Sequence, residues 1–321
     1  MKPTKLPTLL GIGAIISWST SIAFSRSVAE KMGTLDMAFF NLLFSGTFLL
    51  VVQWVQYKKE FFTRLTGLPL AYLVRVGTFV VGYLVLFYWA IGEASTRSAV
   101  IVVGIINYLW PGFIFLLSVP ILKNKARYGI LISGVMAAFA GTVLAFLEGH
   151  RVSVKELGAA FKGDLMPLGF AFVAAVSWAI YSNMTRKYQV SEDRLAMPVF
   201  LLTAGFVVLC LKLVKGESPT LNLHGFQVLE LLYLSVFPTG LAYLFWDRAM
   251  KKGNKDLVVA FSYLTPLAST LISGYYLHVP IGLGFGLAAV LVIVGAILCR
   301  RSLCLRRPGT PFIKGVPGPP Q

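Results

Sequence analysis

The sequence predicts an all-α integral membrane protein with ten transmembrane helices, arranged as two inverted five-helix repeats. Of its 321 residues, 57% are hydrophobic and only 13% are charged, whereas a soluble domain carries about 25% charged residues. Many apolar runs exceed the roughly 20 residues that a helix needs to span a bilayer. These runs do not alternate in polarity, which argues against a transmembrane barrel. Motifs of the first half also recur, in the same order, in the second half.

Ten spans are predicted, separated by breaks that carry charge, glycine or proline. They cover residues 7–27, 36–57, 70–92, 98–122, 127–147, 165–186, 196–214, 228–248, 256–277 and 281–300. The first span is too long and too aromatic for a cleaved signal, so we expect it to be retained. The predicted domains are a first repeat at 1–147, an extracellular or periplasmic linker at 148–164, a second repeat at 165–301 and a tail at 302–321. The tail is basic and then rich in proline and glycine, so it is expected to be disordered and cytoplasmic.

The formal net charge of +16 would suggest nucleic-acid binding in a soluble protein. Here the lysine and arginine residues concentrate in the loops that would share a side with both termini, which is the distribution that fixes orientation in a membrane. We therefore expect a multi-pass protein of the inner (plasma) membrane with cytoplasmic N- and C-termini. No basic domain is present, so binding of nucleic acid is not expected.

The duplication is seen in short motifs. Ser17-Trp18 recurs as Ser177-Trp178, and Tyr108 with its nearby proline recurs as Tyr263 with Pro266. Because five spans is an odd number, the second copy must enter the membrane from the opposite side. Inverted repeats of this kind are typical of transporters, with the substrate site near the midplane where the repeats meet.

Enzymatic chemistry is not indicated. The sequence contains no HExxH, GxSxG or glycine-rich phosphate-binding motif. The three histidines fall in loops or at span ends, and the acidic residues lie within a turn or two of a span end. We predict no catalytic residues, no metal site and no cofactor. The lack of a mid-depth acid also favours facilitated or exchange transport over proton coupling, although Asp247 could face the cavity from the cytoplasmic end.

Two matching segments, residues 107–112 and 262–266, interrupt the fourth and ninth spans. Pro111 and Gly112 weaken the first helix and Pro266 weakens the second, so we expect kinks or gates at these residues. A kinked helix leaves carbonyl oxygens free for an ammonium group, and the half-helix that follows offers amide donors to a carboxylate. Simple shaping of helix packing is the alternative explanation for the prolines.

Aromatic side chains at membrane depth complete the predicted site. Tyrosine and tryptophan usually gather at membrane interfaces, so deep ones at matching places in both repeats indicate a neutral, aromatic cavity, although helix packing could also explain them. The predicted substrate-binding residues are Trp18, Tyr83, Asn107, Tyr108, Trp110, Trp178, Tyr243, Trp246, Ser262 and Tyr263.

Several of these residues carry a family resemblance. The block Asn107-Tyr108-Leu109-Trp110-Pro111, together with residues 94–97, 17–20, 242–246 and 262–266, resembles the ten-helix EamA-type branch of the drug/metabolite transporter superfamily. The resemblance covers nearly the whole chain except the tail. It implies a basket-shaped fold with the third, fourth, eighth and ninth helices lining the cavity, and export of aromatic amino acids across the inner membrane.

The predicted function is therefore an inner-membrane exporter of aromatic or hydrophobic amino acids, of the phenylalanine, tyrosine and tryptophan class. It would work by alternating access, with an amino acid and the lipid bilayer as its partners and a monomer as its expected state. Export of another small amphipathic metabolite or drug is the alternative within transport. A membrane scaffold is the non-transport alternative, and it would not need paired kinks.

Overall fold

The computed structural model describes residues 4–150, 154–188, 195–276 and 284–304. In the first half, the helices are α1 (Lys5–Met32), α2 (Thr34–Tyr57), α3 (Phe61–Thr66), α4 (Leu70–Glu93), α5 (Arg97–Asn107), α6 (Trp110–Leu122) and α7 (Tyr128–His150). A single 3-10 turn, Lys58–Glu60, joins α2 to α3.

The second half repeats this order after one extra helix, α8 (Val154–Gly163). Its helices are α9 (Leu165–Lys187), α10 (Ala196–Val214), α11 (Phe226–Leu234), α12 (Ala242–Lys252), α13 (Lys255–Ser262), α14 (Thr265–Tyr276) and α15 (Gly284–Ser302). A π-helix, Ser235–Leu241, connects α11 to α12 without a break in the span. Strands β1 (Lys125–Ala126) and β2 (Leu303–Cys304) form a short antiparallel pair.

Eight helical stretches of the described residues are long and apolar enough to cross a membrane. They cover Thr34–Thr66, Leu70–Glu93, Ser98–Leu122, Tyr128–Glu148, Leu165–Lys187, Ala196–Val214, Phe226–Lys252 and Gly284–Ser302. The prediction of an all-α membrane protein is confirmed. The other two predicted spans correspond to α1 and to the pair α13–α14, and they stay predictions as transmembrane segments.

Reciprocal packing relates the two repeats. Helix α4 packs on α9, and its counterpart α12 packs on α1; α6 packs on α9, and its counterpart α14 packs on α1. The pairs α2–α10 and α7–α15 join equivalent helices. Contacts that exchange in this way are the signature of a two-fold relation. The repeats are therefore inverted around an interface that contains α1, α4, α9 and α12.

Two hydrogen bonds define one end of the helical bundle. The amide of Thr4 donates to the carbonyl of Lys252 at 3.1 Å, and the amide of Arg127 donates to that of Ser302 at 2.9 Å. The start of α1 and the end of α15 thus share one face, which we call the terminal face. The opposite face carries the end of α1 and the start of α2, and we call it the cavity face.

Close packing of α7 on α15 depends on glycine. A Cβ atom on Gly141 would lie 2.7 Å from the carbonyl oxygen of Ala288, and one on Gly134 would lie 2.8 Å from the amide nitrogen of Cys299. Neither position can hold a side chain, because the two backbones are in contact there. Small residues therefore serve packing within the chain, as is usual for helix pairs in membranes.

Most of the predicted linker lies within the described residues, whereas most of the predicted tail does not. Helix α8 occupies most of the predicted linker, and Asp164 at its end accepts hydrogen bonds from the amide of Ser95 at 2.8 Å and from its hydroxyl at 3.0 Å. This anchors the connection to the turn between α4 and α5. Beyond Cys304, the tail predicted to be disordered lies outside the described residues.

Candidate functional site

A cavity of about 550 Å³ lies between the two repeats and opens at the cavity face. Its mouth is formed by the end of α1 and the start of α2, with Glu30 and Thr34, and by Ile91 and Val100 opposite. Further in, its lining residues are Trp18, Ser21, Ser25, Ala29, Met37, Asn41, Tyr83, Phe87, Tyr88, Ile101, Gly104, Asn107, Tyr108, Trp110, Phe146, Trp178, Leu234, Pro238, Thr239, Tyr243 and Thr265. Both repeats contribute, as expected for a site at a repeat interface.

More helices line the cavity than the family resemblance implied. The four helices expected to form it do so, through α4, α5–α6, the span of α11 and α12, and α14. Helices α1, α2, α7 and α9 also contribute lining residues. Among the charged residues of the described chain, only Glu30 lines the cavity, and it lies at the mouth.

The predicted kinks are two-residue interruptions of the α-helices, and the backbone at Leu109 and Tyr263 stays in the right-handed helical region. Helix α5 ends at Asn107 and α6 begins at Trp110, while α13 ends at Ser262 and α14 begins at Thr265. Each proline follows immediately, as the second residue of the new helix, where its missing N–H leaves no bond unmade. The half-helices before the breaks are also built alike, because Thr96 caps the amide of Ala99 and Asn254 caps that of Leu257.

The two breaks meet in space. A Cβ atom on Gly112 would lie 2.9 Å from the Cγ1 of Val135 and 3.1 Å from the hydroxyl oxygen of Tyr263. The ring of Tyr263 thus occupies space that only glycine leaves open. The first break and its inverted counterpart are consequently in direct contact.

Four tryptophans pack together at the inner end of the cavity, and three of them line it. We call Trp18, Trp110, Trp178 and Trp246 the tryptophan cluster; they come from α1, α6, α9 and α12. The ring centroid of Trp246 lies 5.3 Å from those of Trp18 and Trp110 and 5.8 Å from that of Trp178. Edge-to-face contacts dominate the cluster, with interplanar angles of 89° for Trp110–Trp246 and 78° for Trp18–Trp178. Aromatic rings favour this geometry.

Two tyrosines extend this aromatic wall. The ring of Tyr83 lies 4.8 Å from Trp178 and stacks parallel to Phe87 at 5.8 Å. The ring of Tyr243 lies 5.4 Å from Trp178 and 5.6 Å from Trp18. The cavity therefore offers ring faces and edges from both repeats to a flat apolar group.

A π-helix shapes one side of the site. The indole nitrogen of Trp18 donates a hydrogen bond to the carbonyl oxygen of Pro238 at 2.9 Å. Pro238 lies inside the π-helix and has no amide hydrogen to continue a regular ladder. A π-helix within a span is uncommon and frequently occurs at functional sites. Pro238 was not predicted, although a proline inside an apolar run was a visible signal.

A buried polar network, also missed by the sequence reasoning, lies beside the π-helix. The amide nitrogen of Asn41 donates to the hydroxyls of Tyr88 at 3.1 Å and Thr239 at 2.9 Å, and the Ser235 hydroxyl donates to its Oδ1 at 3.1 Å. Asn41 is therefore fully engaged by its neighbours. An asparagine within the second apolar run could have indicated it, because such residues usually have a role inside a membrane.

Three other polar atoms in the lining have no such engagement. Asn107 lies next to Tyr83, but its Oδ1 has no partner within hydrogen-bond distance among the described residues. The same holds for the indole nitrogen of Trp178 and the hydroxyl of Thr265. All three residues are buried and line the cavity. Thr265 was not predicted as a site residue, although it directly precedes Pro266.

The predicted substrate-binding residues divide into two groups. Those that line the cavity are Trp18, Tyr83, Asn107, Tyr108, Trp110, Trp178 and Tyr243. The other group does not line the cavity as the described residues define it, and its members are Trp246, Ser262 and Tyr263. The polar atom of each contacts another residue outside the cavity wall. The indole of Trp246 donates to the Ser182 hydroxyl at 3.1 Å, the Ser262 hydroxyl donates to the Val259 carbonyl at 2.7 Å, and the Tyr263 hydroxyl lies 3.8 Å from the Cys299 sulfur. These three residues support the wall from behind.

A buried ion pair lies on α12, between the tryptophan cluster and the terminal face. Asp247 follows Trp246 on α12 and lies 2.5 Å from the Lys251 ammonium, one turn further on. Its Oδ1 also accepts hydrogen bonds from the hydroxyls of Tyr181 at 2.9 Å and Thr185 at 2.8 Å, both on α9. Asp247 is thus turned into a helix interface and does not line the cavity as the described residues define it.

A second set of contacts reinforces the same end. The Asn183 amide donates to the carbonyl of Ile114 at 3.0 Å, and the Lys255 ammonium donates to Asn183 Oδ1 at 3.2 Å. The Arg186 guanidinium donates to the carbonyls of Met250 at 3.1 Å and Lys251 at 3.2 Å. Helices α6, α9, α12 and α13 are thereby tied together.

Within the described ranges, no group of three or more His, Cys, Asp or Glu side chains could hold a metal ion.

Comparison with known proteins decides the family. The model of the EamA-like transporter family matches residues 5–147 and again residues 165–301. The chain belongs to the EamA-like transporter family. It is therefore a multi-pass membrane transporter and not an enzyme, and the family resemblance predicted from the sequence is confirmed.

The chain is also similar to individual transporters whose functions are named. The chain is 28% identical over 292 residues to the aromatic amino acid exporter YddG of Salmonella typhimurium, covering 91% of this chain and 96% of the relative. It is 30% identical over 230 residues to the YddG exporter of Ancylobacter novellus, covering 70% and 74%. An S-adenosylmethionine uptake transporter of Rickettsia felis is 22% identical over 276 residues, covering 84% of each chain.

A solved structure supports the fold alone. It is described only as the crystal structure of a protein, is 22% identical in sequence and superposes with a TM-score of 0.75, covering 91% of this chain and 96% of the other. The overall fold of this chain is thus shared with an experimentally determined structure.

Proposed function

We propose that this transporter exports aromatic and other hydrophobic amino acids across the plasma (inner) membrane, with the cavity between its repeats as the substrate site. The observation that carries the proposal is the aromatic inner end of the cavity, which is lined by rings from both repeats: Trp18, Tyr83, Trp110 and Trp178. A phenylalanine, tyrosine or tryptophan side chain entering there would replace water by ring contacts of the kind the cluster already makes.

The size and polarity of the cavity fit the same substrates. A volume of about 550 Å³ falls within the usual range for small-molecule sites, which are mostly apolar with a few polar groups. Apart from Glu30 at the mouth, the described lining carries no charged side chain. A zwitterion has no net charge and is compatible with such a neutral wall.

The predicted orientation assigns the two faces of the bundle to the two sides of the membrane. With the termini in the cytoplasm, the terminal face is cytoplasmic and the cavity opens to the outside. The contacts of Asp247 and Asn183 then close the cytoplasmic side of the pathway. Substrate would enter from the cytoplasm once these contacts separate, while the outer ends of α1 and α4 approach each other. We infer facilitated or exchange transport, because no acidic residue of the described lining lies below the mouth.

The test is efflux of labelled phenylalanine from liposomes that contain the purified protein. We expect efflux above that of protein-free liposomes, with a rate that is unchanged by a pH gradient. Trp110→Ala should slow it, because the substitution removes ring contacts with Trp18 and Trp246. Trp54→Ala is the matched control, since Trp54 is 54% exposed on the outside of the bundle.

Two results would contradict the proposal. One is phenylalanine efflux that does not exceed that of empty liposomes. The other is efflux that does not respond to Trp110→Ala. If quaternary ammonium dyes are transported instead, the alternative of an exporter for other amphipathic compounds is favoured.

A further inference from the structure

Three buried polar atoms in the cavity wall lack a hydrogen-bond partner among the described residues: Asn107 Oδ1, Trp178 Nε1 and Thr265 Oγ1. Their residues are 6%, 1% and 2% exposed. Leaving a buried polar group unpaired costs about 1–3 kcal/mol. Other polar groups of the lining, such as those of the partly buried Trp18 and the buried Asn41, are paired within the chain. These three atoms are therefore available to a ligand.

The donors among them are placed for an anionic group. The indole nitrogen of Trp178 can only donate a hydrogen bond. The hydroxyl of Thr265 can donate too, and Thr265 is the first residue of the 12-residue helix α14. The positive end of a helix dipole favours negative charge at that position. The described lining has no lysine or arginine to serve the same purpose.

The acceptor is placed for a cation. Asn107 is the last residue of helix α5, where the negative end of the dipole and the free carbonyl groups favour positive charge. Ser262, the equivalent residue of α13, is not among the described residues that line the cavity. The broken helices of the two repeats thus present opposite poles to one cavity: the end of α5 and the start of α14.

We propose that Thr265 and Trp178 bind the carboxylate of the substrate and that Asn107 binds its ammonium group, so that the site selects zwitterionic amino acids over the corresponding acids and amines. This assignment rests on the proposed function and adds to it the recognition of the amino-acid head group. The aromatic side chain then lies against Trp18 and Trp110.

The test is calorimetric binding of three compounds to the purified protein in detergent. Phenylalanine carries both charged groups, 3-phenylpropionate lacks the ammonium group, and phenethylamine lacks the carboxylate. Thr265→Val should weaken binding of phenylalanine and 3-phenylpropionate about tenfold, as expected for loss of a hydrogen bond to a charged group. It should leave binding of phenethylamine unchanged.

Matched variants separate recognition from misfolding. Asn107→Leu should give the reciprocal pattern, with weaker binding of phenylalanine and phenethylamine only. Thr265→Ser keeps the hydroxyl and should retain the discrimination of the wild type. Thr270→Val removes a buried hydroxyl from the same helix, outside the described cavity wall, and should leave the binding of all three compounds unchanged.

The outcomes are distinguishable from those of the efflux experiment. If Thr265→Val weakens all three compounds equally or none, or if phenylalanine does not bind at all, the head-group assignment is wrong. Phenylalanine efflux together with a missing Thr265 pattern would leave the proposed function standing without this site. The predicted binding pattern without efflux would support the site and contradict export.

Discussion

The indole nitrogen of Trp18 donates to the carbonyl oxygen of Pro238 at 2.9 Å, across the interface between the two repeats. Its counterpart in the second repeat, Trp178, has an indole nitrogen with no partner among the described residues. Trp18 contacts the π-helix that precedes α12. The equivalent helix in the first repeat is α4, which packs near Trp178 and is a continuous α-helix. One tryptophan is therefore held by the protein and the other is free to donate to a substrate.

The first prediction concerns this bond. Pro238→Ala supplies an amide hydrogen, so the π-helix can return toward α-helical geometry and move the carbonyl away from Trp18. Net loss of one hydrogen bond corresponds to about 0.5–1.5 kcal/mol, and we expect a lower thermal unfolding temperature together with slower substrate efflux. Both quantities are measured on the same preparation.

Pro120→Ala is the control for that experiment. Pro120 also lies inside a helix, α6, but it is exposed. Its replacement should not lower stability or efflux. Equal effects of the two alanine substitutions would show that the Trp18 contact has no special importance.

The second prediction concerns the contact between the two helix breaks. Gly112→Ala places a methyl group 2.9 Å from Val135 Cγ1 and 3.1 Å from the Tyr263 hydroxyl. Overpacking of this kind costs about 1–3 kcal/mol. We expect a lower unfolding temperature and a partial recovery when Val135→Ala is added.

Gly82→Ala tests whether the effect is local. A Cβ atom on Gly82 meets nothing within 4 Å, and alanine is favoured over glycine in a helix by about 1 kcal/mol. This variant should be as stable as the wild type or more so. If Gly112→Ala is tolerated equally well, the close approach at the breaks is not needed.

The third prediction concerns the closed end of the cavity. Asp247→Ala leaves the buried ammonium of Lys251 without its carboxylate, and removal of one partner of a buried ion pair costs about 3–5 kcal/mol. We expect a large fall in the unfolding temperature. The double variant Asp247→Ala with Lys251→Met should regain much of it, because no unpaired charge then remains.

An ion pair at the surface provides the comparison for the Asp247 and Lys251 variants. Glu60 and Arg64 are 2.7 Å apart near the terminal face, and pairs of this kind contribute about 0–1 kcal/mol. Glu60→Ala should therefore change stability little. An Asp247→Ala effect as small as that of Glu60→Ala would mean that the closed end is not held by the buried pair.

Much of the site could be predicted from sequence because its causes are local. Pro111, Gly112 and Pro266 interrupt their helices through backbone chemistry that does not depend on the surroundings. The positions of both interruptions were therefore predictable from the sequence. Trp18 and Trp178 were recognised because the duplicated motif marks equivalent positions.

Other parts of the site depend on contacts between distant segments. Asn41 reaches Tyr88, Thr239 and Ser235 only after α2, α4 and the π-helix have packed together. Thr265 becomes a candidate ligand because it has no partner, which a sequence does not reveal. Asp247, considered as a cavity residue, is instead turned toward α9.

The sequence by itself determined that the chain spans a membrane, that it is duplicated and inverted, and where its two central helices break. Hydropathy depends on composition alone, and the inversion follows from the odd number of spans in each repeat. The helix interruptions follow from the local backbone chemistry of proline. Only the tertiary structure decided which of the equivalent residues face the cavity. The cavity opens at one face and is closed at the other, so equivalent positions have different surroundings. Tyr108 lines the cavity, whereas Tyr263 packs against Gly112 behind it.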